Sequence, residues 1–299
     1  MVTSNSITTL CPACGSNSWK LVFDVIDHSI TKEQFRLCEC NQCTLRVTMN
    51  APEAASISRY YQSAAYISHS SSRKGIINRL YQEVRKITLA QKSKLVRGHG
   101  SGGVGNLLDY GSGTGAFVAY MQKNNWNAIG IEPAANARSI AKNQFDVELL
   151  DLTAFKTLSA AHFDVITLWH VLEHVHELNE TVQQLRRLLK PEGRIYIAAP
   201  NYTSLDAAYF GRFWAAYDVP RHLYHFSPPA MRQLMSSNQL KVHAIKPMWF
   251  DSFYVAMLST QYQGGRVNYM KSIWQGIQTS VQTLQDVERS SSLIYEIGH

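Results

Sequence analysis

The nine residues at 107–115, Leu-Leu-Asp-Tyr-Gly-Ser-Gly-Thr-Gly, constrain the fold more than any other stretch of the chain. Two leucines running into an acid fit the end of a buried parallel strand. Three glycines at alternate positions then permit the positive φ angles of a tight turn and leave room for a ligand against the backbone. A helix is expected to open directly after it. Downstream, short apolar runs at 106–110, 127–132, 146–150, 163–169, 194–199 and 241–249 alternate with helical patterns at 134–143, 178–189 and 228–238. That alternation predicts an α/β fold, a doubly wound and mostly parallel sheet of seven strands, with ligands at the carboxyl ends of its strands. The sequence 190–193, Lys-Pro-Glu-Gly, is expected to close a helix.

The glycine turn alone leaves its ligand open. Gly111-x-Gly113-x-x-Ala116 satisfies the dinucleotide fingerprint, and Glu132 stands where a ribose-binding acid belongs. Asp109 separates the possibilities. Its carboxylate, two residues before the first glycine, faces the place that a dinucleotide fills with pyrophosphate. Negative charge there repels phosphate and suits a ligand carrying an ammonium and a sulfonium. S-adenosylmethionine has both, with a ribose diol and no phosphate.

Four stretches in order, 107–115, Ile129-Gly-Ile-Glu132-Pro133, the run from Phe163 to Val175 containing Trp169-His170-Val-Leu-Glu173-His174, and Leu189-Lys-Pro-Glu-Gly-Arg-Ile, resemble the class I S-adenosylmethionine-dependent methyltransferases over about residues 105–250. The resemblance implies that Asp109, Tyr110, Gly111, Gly113 and Gly115 hold the methionine end of the donor, and that Glu132, followed by Pro133, receives the ribose hydroxyls. It places Asp151 and Leu152 at the adenine and Trp169 in the wall of the pocket. It also implies that the last strand runs antiparallel beside the sixth, which makes 250–290 a helical insertion that covers substrate or pairs two subunits. The layout is similar to methyltransferases with a cysteine-ribbon front end, whose acceptors are often sugars or other small molecules.

Methyl transfer asks the protein to position an acceptor and, where needed, to remove its proton. His170, Glu173 and His174 stand at i, i+3 and i+4, spacing that predicts one helix face. In the ubiquinone-biosynthesis O-methyltransferases the similar site has Glu, Glu and His and is linked to a divalent cation; His170 departs from that pattern. Three uses are open here: a general base at His170, a metal, or a structural network. The second acceptor-side candidate lies in 200–227, expected to be a substrate loop: Trp214-Ala-Ala-Tyr-Asp218-Val-Pro-Arg221-His222-Leu-Tyr224-His225. Here Arg221 can clamp an anionic group, His222 or His225 with Asp218 can handle a proton, and Trp214 and Tyr224 can wall the acceptor.

Ahead of this core, Cys11-Pro-Ala-Cys14 and Cys40-Asn-Gln-Cys43 form two knuckles separated by strand-like alternation. Four thiolates so spaced can bind zinc tetrahedrally and staple a segment too small to hold itself together. Cys38 is the fifth cysteine, expected to be a small core residue, with a place as an alternative ligand as its other use. The organisation predicted is a zinc-ribbon-like module at 1–50, a helical cover at 51–103 with a helix over 76–96 and a flexible joint at 99–103, and a methyltransferase domain at 104–299. Polar aromatics at 60–69 precede the helix. The chain has 299 residues, 29 basic against 22 acidic, and eight of the basic side chains lie between Arg73 and Arg97. Such a stretch is expected to be a solvated helix face, with contact to a polyanion as its other use. No run of about 18 apolar residues and no signal-peptide pattern occurs, so a cytoplasmic protein without a membrane span is expected. The reading that follows is a small-molecule methyltransferase. An RNA methyltransferase held by ribbon and basic helix, or a non-catalytic nucleotide-cofactor-binding protein, are the alternatives.

Overall fold

The computed structural model describes residues 10–61, 76–98, 104–249 and 251–299, with the stretch 76–86 described by its backbone alone. The expected joint at 99–103, most of the aromatic segment at 60–69, and the basic side chains from Arg73 to Lys86 fall outside these. The chain divides into two compact units, and neither is one continuous stretch: Met1–Tyr61, Leu172–Val182 and Ala198–Tyr295 form one, and Gln62–Val171, Gln183–Ile197 and Glu296–His299 the other.

The second of these is built on β4 (Asn106–Tyr110), β5 (Asn127–Ile131), β6 (Phe163–Trp169) and most of β7 (Leu189–Pro200). β4 lies between β5 and β6 and is parallel to both, with Leu107 opposite Ala128 on one side and Val165 on the other. Leu107, Leu108, Val165, Ile166 and Leu168 are all fully buried, as continuous apolar strands covered on two faces must be. The full strand order is β5-β4-β6-β7-β10-β9, where β9 is Lys241–Pro247 and β10 is Ser292–Gly298. This is the expected doubly wound sheet with six strands rather than seven among the described residues. Residues 146–150 supply only one bridge, Leu150 to Ile131. Helix α3 (Ala135–Phe145) ends on Asp146 in the left-handed conformation, φ 56°, so the chain meets β5 only at the end of this stretch. The helix over Leu178–Leu188 ends just before 190–193, as expected, and those residues continue as extended chain in β7. Helices α1 (Ile76–Arg97), α2 (Ala116–Lys123) and α4 (Ala154–Thr157) also belong to this unit.

The other unit carries a four-stranded antiparallel sheet, β1 (Trp19–Ile26), β2 (Gln34–Cys40), β3 (Arg46–Met49) and β8 (Tyr224–His225), in the order β1-β2-β3-β8. The cysteine-bearing segment therefore shares its sheet with the expected substrate loop: Arg46 pairs with His225 and Val47 with Tyr224. Beneath it Val25, Phe35 and Leu37 form one apolar cluster with Phe210, Trp214 and Tyr217. Three strands of this length bury too little surface to be stable alone, and β8 with its flanking aromatics supplies the missing half of their core. The remaining helices are α5 (Leu178–Leu188), α6 (Leu205–Phe210), α7 (Pro228–Ser237), α8 (Asp251–Gly264) and α9 (Tyr269–Gln285). Ser227 caps α7, its Oγ accepting from Ala230 N at 3.2 Å with Pro228 at the first helical position. No helix among the described residues is long and apolar enough to cross a membrane.

Candidate functional site

β4 delivers Asp109 to the end of the parallel sheet, and the chain turns at once through Gly111 and Gly113, φ 78° and 53°, into α2. A Cβ at Gly111 would lie 2.4 Å from Val171, whereas one at Gly113 meets nothing within 4 Å. The first glycine is therefore needed for packing and the second leaves open backbone. These residues line a pocket of about 350 Å³ together with Ser112, Thr114, Phe117 and Trp169, and α1 contributes Thr88, Leu89 and Lys92. Asp109 is buried and accepts the Thr167 hydroxyl at 2.6 Å. Burial pushes its carboxyl up to about 6, against the opposing pull of Thr167 and the Lys92 ammonium. Lys92 Nζ itself stands 4.4 Å from the centre of the Trp169 ring.

Glu132, at the end of β5, organises the turn from the other side. Its two oxygens accept Gly113 N at 2.8 Å and Ala134 N at 2.9 Å. Burial raises its carboxyl despite these bonds. A carboxylate has about four lone-pair sites, so both oxygens keep acceptor capacity for a diol. Tyr110 is buried against Phe155, with ring centres 4.5 Å apart, and Gly115 closes against Ala141. Pro133 is exposed. Asp151 is exposed too, its Oδ1 accepting Thr153 N and hydroxyl, with Leu152 exposed beside it.

A second concentration of chemistry lies in the unit that carries the four-stranded sheet. Ligand atoms of Glu173, His174 and His222 all fall within 4.8 Å of one another. His174 Nδ1 donates to Arg221 O at 2.9 Å and His222 Nδ1 donates to Ala216 O at 2.8 Å. Each ring thereby presents its Nε2 as a lone-pair acceptor, the orientation that carbonyl partners give to histidines serving as bases or ligands. Burial, reinforced by His222, lowers His174 to about 4, so the ring is neutral at ordinary pH. Asp218 Oδ2 stands 4.0 Å from His222 Nε2.

His170 does not share this cluster. Its backbone is left-handed, φ 58°, and only a 3-10 turn spans Leu172–His174. The expected helix face joining His170 to Glu173 and His174 is thus absent, because the left-handed residue breaks the helical phase; His222 takes the third place instead. His225 also stands apart. The Thr48 hydroxyl donates to His222 O at 2.7 Å, so His225 Nε2–H donates to Thr48 Oγ at 3.0 Å.

Arg221 is 2% exposed and donates four hydrogen bonds. Its Nε and Nη2 donate to the two Asp218 oxygens at 2.9 and 2.6 Å, Nη2 to Asp27 Oδ1 at 3.1 Å, and Nη1 to Tyr60 O at 2.8 Å. Trp214 donates Nε1–H to Asp206 at 2.9 Å inside the core, and Tyr224 donates its hydroxyl to His176 O at 3.1 Å. Of the anion clamp and aromatic walls expected of 200–227, Arg221 and Trp214 are internal structure and Tyr224 is half-buried. Their sequence signal, aromatics in a polar loop, arises because β1–β3 cover them.

At the other end of the same sheet, Cys11, Cys14, Cys40 and Cys43 bring their four sulfurs within 4.8 Å of one another. Cys11 to Cys43 and Cys14 to Cys40 are both 3.5 Å apart, close to the edge of a tetrahedron with metal–sulfur bonds of about 2.3 Å. The Cys43 thiol lowers Cys11 to about 5, favouring a thiolate within the quartet. Cys38 lies buried in β2 and outside it, its thiol pushed up by burial.

The methyltransferase-domain family matches residues 76–245, more than half of the chain. This chain belongs to that family. The ubiquinone biosynthesis O-methyltransferase of Mus musculus mitochondria is 27% identical over 164 residues, 49% of this chain and 44% of that protein. Its counterpart in Bartonella bacilliformis is 26% identical over 148 residues, 46% of this chain and 60% of that one. The chain thus spans about half the length of these relatives. Among solved structures, a SAM-dependent methyltransferase from Archaeoglobus fulgidus aligns with TM-score 0.50 at 17% identity, covering 79% of this chain and 99% of that one. The magnesium protoporphyrin IX methyltransferase of Synechocystis PCC 6803, with bound SAH, aligns with TM-score 0.54 at 10% identity, over 82% and 99%. These likenesses establish the fold.

Within this methyltransferase domain, the structure brings Asp109, Gly111, Gly113 and Trp169 to one pocket, with Glu132 bonded to its turn. Sequence reasoning missed Thr88, Leu89 and Lys92. The helical periodicity of α1 identified it as a packed helix, but nothing local marked which of its residues would reach the glycine turn.

Proposed function

We propose that the protein transfers a methyl group from S-adenosylmethionine to a hydroxyl-bearing small molecule. The observation that carries this reading is Asp109, a buried carboxylate on the floor of a glycine-turn pocket. A phosphate-bearing cofactor would have to approach it against like charge, whereas the cationic amino-acid end of S-adenosylmethionine matches it. When bound, S-adenosylmethionine supplies a methyl carbon already activated by its sulfonium. Asp109 and the open backbone at Gly113 fit its methionine end, Glu132 its ribose hydroxyls, and Trp169 and Phe117 supply an apolar wall. The names of the curated relatives support oxygen as the acceptor atom. Titration calorimetry with S-adenosylmethionine and with NAD tests the reading, and binding of NAD alone would overturn it.

Replacing Asp109 by asparagine is expected to weaken S-adenosylmethionine binding about 10–100-fold, while the Thr167 hydroxyl keeps an acceptor. The pH dependence has a definite sign. The cationic ligand needs the ionised acid, so affinity should be flat above a pH of about 6 and fall as pH drops below it. Stability runs the other way. The folded pKa is raised, so the native state holds a proton that the unfolded state has released between the unperturbed value of 3.8 and about 6. The contribution of Asp109 is therefore favourable at low pH and lost as pH rises through 6. At pH 8 the asparagine variant should be more stable than the parent, by at most ~3 kcal/mol. Calorimetry and thermal melts across pH 5–8 measure both effects.

For the acceptor, the supporting feature is the Glu173–His174–His222 cluster, with His222 as base and Asp218 beside it. Nε2 of His222 can take a proton from an acceptor hydroxyl. His222→Ala is expected to lower kcat about 10²–10⁴-fold, with S-adenosylmethionine affinity unchanged; a kcat within threefold of the parent removes the base assignment. The tautomers favour a second reading, in which the same three side chains hold a divalent cation. Metal analysis distinguishes them, because the cysteine quartet accounts for one zinc and this site would add a second ion. We assign that zinc to Cys11, Cys14, Cys40 and Cys43 on the grounds of sulfur spacing and an all-thiolate donor set.

A further inference from the structure

Helices α8 and α9 form a hairpin whose packing is inverted. Their buried residues are mainly small and polar: Ser252, Ala256 and Ser259 of α8, and Ser272, Gly276 and Thr279 of α9. A Cβ at Gly276 would come within 2.5 Å of Phe253, so the helices approach as closely as glycine allows. Large apolar side chains point outward instead. Met270, Trp274, Ile277, Val281 and Leu284 are 85%, 63%, 45%, 52% and 75% exposed. Ile273 and Val287 flank them and are exposed as well.

The spacing of the five is the informative part. The intervals 270–274–277–281–284 alternate four and three, a coiled-coil seam two heptads long. Seams with this period are built to meet another helix, since the period keeps every member on one line. The only charge on α9 is Lys271, so the helix offers nothing with which to select an acidic or basic partner. The seam is, however, complementary to its own reverse. Two antiparallel copies related by a two-fold axis at Ile277 place Met270 opposite Leu284, Ile273 opposite Val281 and Trp274 opposite the small Ser280. Lys271 then falls opposite the neutral Thr283. A parallel pair would instead stack Trp274 on Trp274. The apolar face offers on the order of 800 Å² per copy, the share each partner contributes to a standard stable interface.

We propose that the occupant of this face is a second copy of the chain, docked through α9 in an antiparallel two-fold interface. Such an isologous contact closes on itself and takes this apolar face out of water. The inference does not depend on the methyltransferase reading.

Sedimentation velocity on the intact protein should give a dimer at micromolar concentration, and Ile277→Glu should give a monomer. Because Ile277 and Trp274 are outside the intramolecular core, that variant should keep the parental thermal midpoint, circular dichroism and donor affinity. Single cysteine variants fix the orientation. Oxidised Ile277→Cys should cross-link to itself, and Met270→Cys should cross-link only when mixed with Leu284→Cys, with the parent chain as control. A monomeric parent, a dimer untouched by Ile277→Glu, or self-cross-linking of Met270→Cys would each overturn the proposal. So would a monomer that binds phosphatidylcholine–phosphatidylglycerol vesicles through Trp274, since the face would then serve a lipid surface.

Discussion

Stripping the zinc proposed for the cysteine quartet is expected to unfold the unit built on β1, β2, β3 and β8. The quartet ties the loop before β1 to the end of β2 and the turn that follows it: Cys11 N donates to Ser16 O, Cys40 N to Leu45 O, and Thr44 N to Cys40 O, each at about 3 Å. Without a metal, four sulfurs are held within 4.8 Å and one thiolate is favoured among them with no cation to balance it. Structural zinc in such sites binds with about 10–16 kcal/mol, as large as the whole stability of a typical domain. A strong chelator should therefore release one zinc per chain, lower the thermal midpoint by more than about 10 °C and expose the tryptophan fluorescence of Trp214, which is 1% exposed in the native core. Cys11→Ser should reproduce the loss, whereas Cys38→Ser, outside the quartet, should retain zinc. Purified protein without stoichiometric zinc, or melts indifferent to chelation, would refute the assignment.

The second large effect is expected at Arg221. Its guanidinium is buried between two carboxylates, Asp218 in a two-bond fork and Asp27 at 3.1 Å, and burial is outweighed so that both acids lie below the usual carboxylate range. Asp27 is in turn held by the backbone N–H groups of Ser29, Ile30 and Thr31. Removing the arginine leaves the buried Asp27 and the partly exposed Asp218 without their counter-ion, and breaking a buried ion pair from one side costs about 3–5 kcal/mol. Arg221→Met, which keeps much of the volume, should lose that amount in urea unfolding. Arg221→Lys should lose less but still fail to restore the fork, since one ammonium cannot donate along two parallel directions. A substrate-binding arginine would behave differently, raising KM with stability intact. Asp27→Asn with Arg221→Met should recover part of the loss, because the pair is then removed together.

How far the chain could be read without its structure depends on the reach of each interaction. The glycine turn and Asp109 could be read because strand, acid and turn are consecutive, and positive φ at Gly111 and Gly113 follows from what side chains forbid. Residues 146–150 have the apolar character of a strand but form only one bridge; periodicity describes a segment's faces and not whether a neighbour lies alongside it. The spacing of His170, Glu173 and His174 suggested a shared helix face, and a single left-handed residue was enough to break it.

The sequence by itself determined the parallel α/β sheet, the acid-and-glycine turn at its edge and the pairing of two Cys-x-x-Cys knuckles, since each is set within a few consecutive residues or by ligand chemistry. Only the tertiary structure decided that His222 joins Glu173 and His174, that Arg221 is an internal counter-ion, and that Trp214 is core. Those outcomes depend on β3 pairing with β8 and on which surfaces are thereby taken out of water, and burial of that kind belongs to no single stretch of the chain.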